Sequence, residues 1–558
     1  MFGHQSLVFA LLLASSAAAA PSRPAMPAYS LKSELCKLSP FIQKVLCPRQ
    51  SSGSTNSVTT PIGTALGTSD DSGATRFAVK YASASRWQQS TVATTWELPN
   101  GSSNVTALPV PCVQADDNGN TVGTEDCLSM ILYVPASLPA DAPTFMWIHG
   151  GSFTSGSATG PGLDGSKLAT ATQSVVAVIQ YRLGALGFLQ PNGGFNLAVK
   201  DVINALAFLQ EVLPSFGASA SKITIAGQSA GANMVRAVLA APSASSMFQS
   251  AVLQSDPMDF GFLTPSVHQE VLGNFTVNLN CSTTDTSCLN SLSLNSIMAA
   301  QSDLLNDAVN DELDPAAGAS EPIRPVRDNS LITNPLDLTA SFPQQSKPII
   351  LSNVRNEAAL TIYGNFQSSV DSSLYEQLVQ FTFGEPRTTR ILNTAVYAVS
   401  PAVNGVEPDQ RPQLEELGTD QIWRCATWTF ARNWVGSGGA AYVGEYMLGA
   451  TYPGNEEVPF CTAGGSVCHQ DDIEIIFGTV QNATSPADCT DHGDAGTLQV
   501  LPPHRLPQRR DGFPTWEVAG TSDVNAINLG APGLATVGAC NTSYWGNFVD
   551  YDYQVFGL

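Results

Sequence analysis

A serine between two glycines is the first candidate for chemistry in this sequence. Residues 227–231 read Gly-Gln-Ser-Ala-Gly, directly after a strand-like run at 222–226 and directly before a helix-like run at 232–239. Glycines on both sides relieve crowding in a strained turn from strand to helix, so the hydroxyl of Ser229 can project above a sheet. The pattern predicts a nucleophilic serine. A plain strand-turn-helix, with glycines that serve only packing, is the alternative.

A second glycine motif could stabilise negative charge. Residues 147–153 read Trp-Ile-His-Gly-Gly-Ser-Phe and follow another strand-like run. Consecutive glycines leave room for backbone amides to converge on a developing oxyanion. We therefore expect Gly150 and Gly151 to act together with Ala230, the residue after the serine. His149 precedes the glycines, and we expect it to be structural, beneath the loop.

Nucleophilic serine chemistry needs a base and a carboxylate that orients the base. In serine enzymes with such a turn, the acid and then the histidine follow the serine in the chain. His469 is the favoured base because it lies between Cys468 and an apolar turn, and His492 is the second candidate. Glu357 follows a strand-like run at 347–352, where an α/β site gathers its catalytic groups. With 47 acidic residues, composition alone does not select Glu357.

The surrounding elements must position these residues. Strand-like runs at 130–134, 144–148, 174–179 and 222–226 alternate with helix-like segments such as 199–213. Continuous β-branched runs separated by helices indicate a sheet that is covered on both faces. The sequence therefore predicts an α/β fold with a large, mostly parallel central sheet and helices on both faces.

The amino terminus predicts export. An apolar run at 7–19 ends in small residues, which is typical of a signal peptide at 1–20 and is too short to span a bilayer comfortably. Residues 21–54 form a short extension and linker, with a local Cys36–Cys47 disulfide as the expected pair. Residues 55–558 are then a single catalytic domain. We expect a secreted, extracellular protein without a stable membrane anchor.

Composition excludes some partners. The 558 residues include 25 Lys and Arg against 47 Asp and Glu, for a formal charge of −22. Such a chain is repelled by phosphate backbones and anionic lipids, so a general nucleic-acid binder is excluded. Eleven cysteines agree with an oxidising export route, with Cys461–Cys468 as a local pair and Cys425, Cys489 and Cys540 unassigned. The candidate glycosylation sites, in Asn-x-Ser/Thr sequons, are Asn100, Asn104, Asn274, Asn280, Asn482 and Asn541.

Together these segments resemble the type-B carboxylesterase family, which includes cholinesterases and a group of fungal lipases, over nearly all of residues 57–550. Residues 77–82, Glu-Asp-Cys-Leu at 125–128 and the run from 180 to 217 are similar to family signatures. The resemblance implies an α/β-hydrolase fold and no cofactor or metal. It implies that Ser229 is the nucleophile, Glu357 the acid and His469 the base, with Gly150, Gly151 and Ala230 as oxyanion donors. It also implies disulfides Cys112–Cys127 and Cys281–Cys288, and structural ion pairs Arg182–Asp201 and Arg86–Glu125.

Two departures from the family bear on substrate. Gln228 replaces the usual glutamate before the nucleophile, which removes a negative charge beside the imidazole and weakens the case for a cationic substrate. The loop at 113–126 has only 14 residues, is polar and contains no aromatic residue. The long apolar lid of the family's lipases is therefore missing, and choline esters, which need cation–π contacts, are disfavoured.

The resulting hypothesis is a secreted, fungal-type serine carboxylic ester hydrolase with a Ser-His-Glu triad, acting on a small-molecule ester. A triacylglycerol lipase of the same family is the alternative, and a non-catalytic binding module on the same scaffold is a more remote one. The natural ester and the oligomeric state stay open.

Overall fold

A computed structural model describes residues 55–69, 73–191, 193–310, 312–480 and 515–558. Several sequence predictions lie outside the described residues: the signal peptide at 1–20, the extension at 21–54 with Cys36 and Cys47, and the candidates Asn482, Cys489 and His492.

The strands of the described residues are β1 (Thr55–Thr60), β2 (Gly63–Ser69), β3 (Ala74–Lys80), β4 (Ala82–Ser83), β5 (Thr91–Val92), β6 (Gln114–Ala115), β7 (Thr121–Val122), β8 (Ser129–Pro135), β9 (Ala142–Ile148), β10 (Val175–Ile179), β11 (Ala218–Gln228), β12 (Ser250–Gln254), β13 (Pro348–Val354), β14 (Ala440–Tyr446) and β15 (Ile527–Leu529).

The α-helices of the same residues are α1 (Ser166–Thr172), α2 (Gly184–Phe188), α3 (Leu197–Val212), α4 (Ala230–Leu239), α5 (Pro265–Asn278), α6 (Thr286–Ser291), α7 (Leu294–Val309), α8 (Ala359–Asn365), α9 (Ser372–Phe383), α10 (Arg387–Leu392), α11 (Arg411–Gly418), α12 (Cys425–Gly436), α13 (Ile473–Phe477) and α14 (Asp552–Phe556). A π-helical turn, Thr419–Arg424, joins α11 to α12.

Eleven strands form one twisted sheet, in the order β1-β2-β3-β8-β10-β9-β11-β12-β13-β14-β15. Neighbours from β1 to β10 along this order are antiparallel, and neighbours from β10 to β15 are parallel. The predicted α/β fold with a mostly parallel sheet is confirmed. Because β9, β11, β12 and β13 run in the same direction, their carboxyl ends meet at one edge, where an α/β sheet collects its functional groups.

The side chains of β10 explain why the sheet is covered on both faces. Val175, Ala177 and Ile179 are buried in one apolar cluster, whereas Val176 and Val178 are buried in another. Successive strand residues point to opposite faces, so a continuous Val/Ile run requires an apolar layer on each side. Helix α3 packs in the first layer, and helices α1 and α13 pack in the second.

The two ion pairs that the family resemblance implies are present, and four disulfides cross-link the described part of the chain. Arg182–Asp201 and Arg86–Glu125 have N–O distances of 2.7 Å each, and the first pair is buried. The disulfides are Cys112–Cys127, Cys281–Cys288, Cys425–Cys540 and Cys461–Cys468. The Cys425–Cys540 bond was not identified from the sequence, because its partners are 115 residues apart and share no local motif. No helix of the described ranges is both long and apolar enough to cross a membrane.

Candidate active site

Ser229 lies at a sharp turn between β11 and α4. Its backbone has φ 58° and ψ −130°, a conformation that a residue with a side chain rarely adopts. The Ser229 amide donates to the carbonyl of Gln254, at 2.9 Å, which ties the turn to the end of β12. Gly231 allows this turn: a Cβ there would lie 2.2 Å from the carbonyl oxygen of Ile148. The turn therefore depends on the glycine that the sequence provides.

The glycine loop after β9 packs directly against this turn. A Cβ on Gly150 would lie 2.6 Å from the carbonyl oxygen of Gln228 and 3.0 Å from Cβ of Ser229. Within the described residues, the amides of Gly150, Gly151 and Ala230 donate no hydrogen bond to another protein group. Unpaired amides beside a serine hydroxyl are the donors that a tetrahedral oxyanion needs.

His149 lies beneath this loop. Its ring stacks on Tyr181 with centroids 4.7 Å apart, and its Nδ1 contacts the carbonyl oxygen of Gly150 at 2.8 Å. Burial lowers the pKa of His149 to about 4, so the ring is neutral at physiological pH. The ring therefore supports the loop from below, in the position expected from the sequence.

Glu357 and His469 are in direct contact. The Oε2 atom of Glu357 lies 2.6 Å from Nδ1 of His469, and its Oε1 atom accepts from the amide of Val354 at 2.9 Å. The Glu357 side chain is completely buried, whereas the His469 side chain is 15% exposed. The carboxylate thus fixes the imidazole with Nε2 directed away from Glu357, as a general base requires.

The loop of the predicted acid Glu357 (the acid loop) and the loop of the predicted base His469 (the base loop) are joined through their backbones. The Asn356 amide donates to the carbonyl of Val467 at 2.9 Å, and the Val467 amide donates to the Asn356 side chain at 3.2 Å. The Cys461–Cys468 disulfide holds the residue directly before His469. These links place the base loop on the acid loop independently of Ser229.

Asp471 closes the base loop from the other side. Its carboxylate accepts from the amides of Cys468 (2.7 Å) and Tyr452 (2.8 Å) and from the side chain of Asn455 (2.8 Å). The same Asn455 amide group donates to the carbonyl of His469 at 2.9 Å. The backbone of His469 is therefore held on both sides.

The Nε2 atom of His469 contacts Gln228. The carboxamide Nε2 of Gln228 lies 3.1 Å from the imidazole Nε2. In the described part of the chain no hydrogen bond joins this imidazole nitrogen to the hydroxyl of Ser229. Gln228 is the last residue of β11 and directly precedes Ser229, so this contact brings His469 close to the serine turn.

Buried carboxyl groups set the charge balance at the base. Burial lowers the pKa of His469, but the charge and hydrogen bond of Glu357, followed by the charges of Asp472 and Glu321, raise it above its ordinary value. Burial and the nearby Glu357 raise the pKa of Asp472 to about 7. Burial raises that of Glu321 to about 7, against the opposing effects of Arg324 and a hydrogen bond with Ser152.

The contact of Gln228 and the roles of Asp472 and Glu321 were not predicted. Apart from its position shortly after His469, no sequence pattern distinguishes Asp472 from the other acidic residues. Its Oδ2 accepts from the side chain of Gln254 at 2.6 Å. Glu321 reaches the loop after Gly151 from a distant segment, and its Oε2 has no hydrogen-bond partner among the described residues. Local motifs cannot reveal such contacts, because they depend on the packing of loops far apart in the sequence.

The loop closed by Cys112–Cys127 forms a short polar hairpin. Strands β6 and β7 pair, and Asp116 Oδ1 accepts from the amides of Asn118 (3.0 Å) and Asn120 (2.8 Å) at its tip. At its base, Gln114 both donates to the carbonyl and accepts from the amide of Gly156, at 2.9 Å each. The hairpin is therefore folded on itself and attached to the end of the glycine loop.

The candidate glycosylation sites in the described residues lie at or near the surface. Asn100, Asn104, Asn280 and Asn541 are exposed, whereas Asn274 is half-buried. The Asn274 side chain also donates to Asp307 at 2.9 Å. Glycosylation of Asn274 would replace one of the two hydrogens on this nitrogen.

The sequence as a whole matches a known family. A profile of the carboxylesterase family covers residues 54–494. The chain belongs to the carboxylesterase family. A relative, the crystal protein of Dictyostelium discoideum, is 29% identical over 379 residues, which is 67% of this chain and 66% of that protein. The para-nitrobenzyl esterase of Bacillus subtilis is 36% identical over 137 residues, 24% of this chain and 28% of that protein.

The fold of this family member also has a solved counterpart. A PNB esterase superposes with a TM-score of 0.67 at 19% identity and covers 85% of this chain and 96% of its own. This carboxylesterase-family chain therefore shares its fold with that protein.

Proposed function

We propose that this chain is a serine carboxylic ester hydrolase with a Ser229–His469–Glu357 triad. The observation that carries the proposal is the 2.6 Å contact between Glu357 Oε2 and His469 Nδ1, next to a serine on a strand-to-helix turn. Family membership and the esterases among the relatives support the same reaction class. A buried carboxylate that orients an imidazole has its main chemical use beside a nucleophile.

In the proposed reaction Ser229 Oγ attacks the carbonyl carbon of an ester while its proton passes to His469 Nε2. The carbonyl oxygen becomes an oxyanion that accepts from the amides of Gly150, Gly151 and Ala230. The bond to the alcohol oxygen then breaks, and His469 returns the proton to that oxygen. Water attacks the acyl-enzyme by the same route, so the products are an alcohol, a carboxylic acid and the free enzyme.

We propose a small-molecule ester as substrate, in preference to an emulsified triacylglycerol. The polar hairpin between Cys112 and Cys127 is too short to cover a large apolar surface, as an interfacial lid must. We also propose that the protein is a secreted, extracellular, fungal-type member of the family. Secretion is supported by the amino-terminal sequence and by the disulfides of the described residues.

Replacing the nucleophile tests the proposal. Ser229→Ala is expected to lower kcat for p-nitrophenyl butyrate by about 10⁴-fold or more, because the attacking oxygen is lost. Ser255→Ala is the matched control. Ser255 is also buried, also has a positive φ (50°) and follows the neighbouring strand β12. Its loss should leave kcat within about threefold. A fluorophosphonate should label the parent chain and not Ser229→Ala, and substantial activity in Ser229→Ala would reject the assignment.

Chain-length dependence separates the esterase from the lipase and from a binding module. Rates are measured on p-nitrophenyl acetate through palmitate, and on tributyrin below and above its solubility limit. The proposal expects the highest kcat/KM on short acyl chains and no increase when an interface forms. A sharp increase at the interface would favour the lipase, and absence of turnover on every ester would favour the non-catalytic module.

A further inference from the structure

Gln228 contacts the proposed base, His469, at Nε2, the nitrogen that would accept the proton of Ser229. Its side chain is completely buried, and its Nε2 lies 3.1 Å from Nε2 of His469. The other imidazole nitrogen, Nδ1, donates to the carboxylate of Glu357. A neutral imidazole with a proton on Nδ1 carries a lone pair on Nε2, and this lone pair accepts the N–H of Gln228.

The same lone pair must accept the proton of Ser229. Within the described residues no hydrogen bond reaches the Ser229 hydroxyl, so Gln228 holds the base in this conformation. The carboxamide oxygen of Gln228, Oε1, is buried and has no hydrogen-bond partner in the part of the chain that the structure describes. A buried unpaired acceptor is unfavourable, and here it is attached to the same carboxamide group as the donor to His469.

We propose that Gln228 is a positioning residue that holds the His469 imidazole in both of its protonation states. The N–H of the amide donates to the neutral ring. When the ring takes the proton of Ser229, a half-turn of the amide presents Oε1 to the new Nε2–H. This inference rests on the proposed role of His469 as general base.

A neutral amide suits this position because the site is already rich in acids. The carboxyl groups that face His469 come from the acid loop (Glu357), from the base loop (Asp471 and Asp472) and from the segment before Arg324 (Glu321). These groups favour the charged imidazole. Gln228 can hydrogen-bond to the neutral ring as well, which an ionised carboxylate cannot do because it has no proton to donate.

Titration of His469 by NMR tests the proposal without reference to activity. The full chain carries only six histidines, so labelled histidine gives few signals. His469 is assigned by its loss in His469→Asn. All titrations use the Ser229→Ala background, where Gln228 is the remaining side-chain donor to Nε2. Gln228→Glu should raise the pKa of His469 by about one unit or more, because an ionised carboxylate at this distance favours the charged ring.

Two further variants complete the titration. Gln228→Met should move the ¹⁵N shift of His469 Nε2, at a pH where the ring is neutral, to that of a nitrogen without a hydrogen bond. Gln210→Glu on helix α3 is the control for the added charge, and it should leave both quantities unchanged. An unshifted pKa in Gln228→Glu, or an unshifted ¹⁵N signal in Gln228→Met, would overturn the proposal.

Kinetics distinguish positioning from a merely structural role. In the chain with Ser229 intact, Gln228→Met should lower kcat for p-nitrophenyl butyrate about tenfold, with KM unchanged and the melting temperature close to that of the parent. A fall in the melting temperature with kcat unchanged would show that Gln228 only packs. Failure of the proposed function appears separately, as activity that persists in Ser229→Ala.

Discussion

His469 is surrounded by acids, and among the described residues only Glu357 hydrogen-bonds to its ring. Glu357 bonds to Nδ1, while Asp472 and Glu321 act on the ring through their charge. Burial opposes these charges, and the result is a pKa above the ordinary value of a histidine. Because a general base must be neutral, the low-pH limb of kcat/KM reports this pKa. The acids therefore restrict activity to higher pH than an isolated histidine would allow.

Asp472→Asn should move that limb to lower pH. The change removes a negative charge that raises the pKa of His469 and keeps an oxygen that can accept from Gln254. A shift of about half to one pH unit is expected, limited because Asp472 titrates in the same range. The measurement is kcat/KM for p-nitrophenyl butyrate between pH 4.5 and 8. Glu376→Gln removes the same charge from an exposed position on α9 and should leave the limb in place. An upward shift in Asp472→Asn would contradict the argument.

At the level of elements, the proposed base His469 depends on the loop that carries it. The Cys461–Cys468 and Cys281–Cys288 disulfides close loops of equal length, with a sequence separation of seven residues each. Only the first lies next to His469. The two bonds therefore form a matched pair for separating stability from catalysis.

Replacing each pair by alanine should have similar effects on stability and different effects on catalysis. Loops of this length predict a loss of about 2–3 kcal/mol for either variant, from the entropy regained by the unfolded chain. Cys461→Ala/Cys468→Ala should also lower kcat by about 10- to 100-fold, because small displacements of a base are costly. Cys281→Ala/Cys288→Ala should keep the parent kcat. Denaturant unfolding and p-nitrophenyl butyrate kinetics measure both effects, and equal kcat values in the two variants would refute the role of the first bond.

Strands and turns that follow local sequence patterns could be predicted, whereas contacts between distant segments could not. The strands at 144–148 and 222–226, the serine turn and the glycine loop are local patterns, and the structure has β9 and β11 where they were expected. Glu357 was proposed from its place after a strand and from family resemblance, since no local pattern distinguishes it among the acids. The Cys425–Cys540 bond and the contacts of Gln228 and Glu321 with the site result from packing between distant segments. Such contacts have no periodicity or spacing from which to predict them.

In the molecule as a whole, acidic residues outnumber basic ones, and several of the acidic residues are buried. The net charge of −22 is accompanied by buried acids whose pKa values are raised. Burial raises the pKa of Glu321, Glu415 and Asp472 to about 7 and that of Asp471 to about 6. The folded protein thus binds protons more tightly than the unfolded chain, whose carboxyls have pKa values of about 4. Each group contributes stability that is present below about pH 4 and is lost as the pH rises towards 7.

Buried histidines act in the opposite direction. Burial lowers the pKa of His149 to about 4, so its contribution to stability is present above about pH 6.5 and is lost as the pH falls. Burial also lowers the pKa of His268, which therefore acts in the same direction. These two histidines do not offset the four acids, and repulsion among surface carboxylates also grows with pH. The protein is therefore expected to be more stable at pH 5 than at pH 8, with a melting temperature higher by roughly 2–5 °C.

Calorimetry at pH 5, 6, 7 and 8 tests this expectation, and salt separates its two causes. Repulsion between exposed charges is screened at high ionic strength, whereas buried carboxyl groups are screened much less. If the interior acids dominate, most of the difference in melting temperature between pH 5 and pH 8 should persist in 0.5 M NaCl, a concentration chosen to give a Debye length of about 4 Å. Its disappearance in salt would assign the effect to the surface. A melting temperature that rises from pH 5 to pH 8 would contradict the raised pKa values of the buried acids.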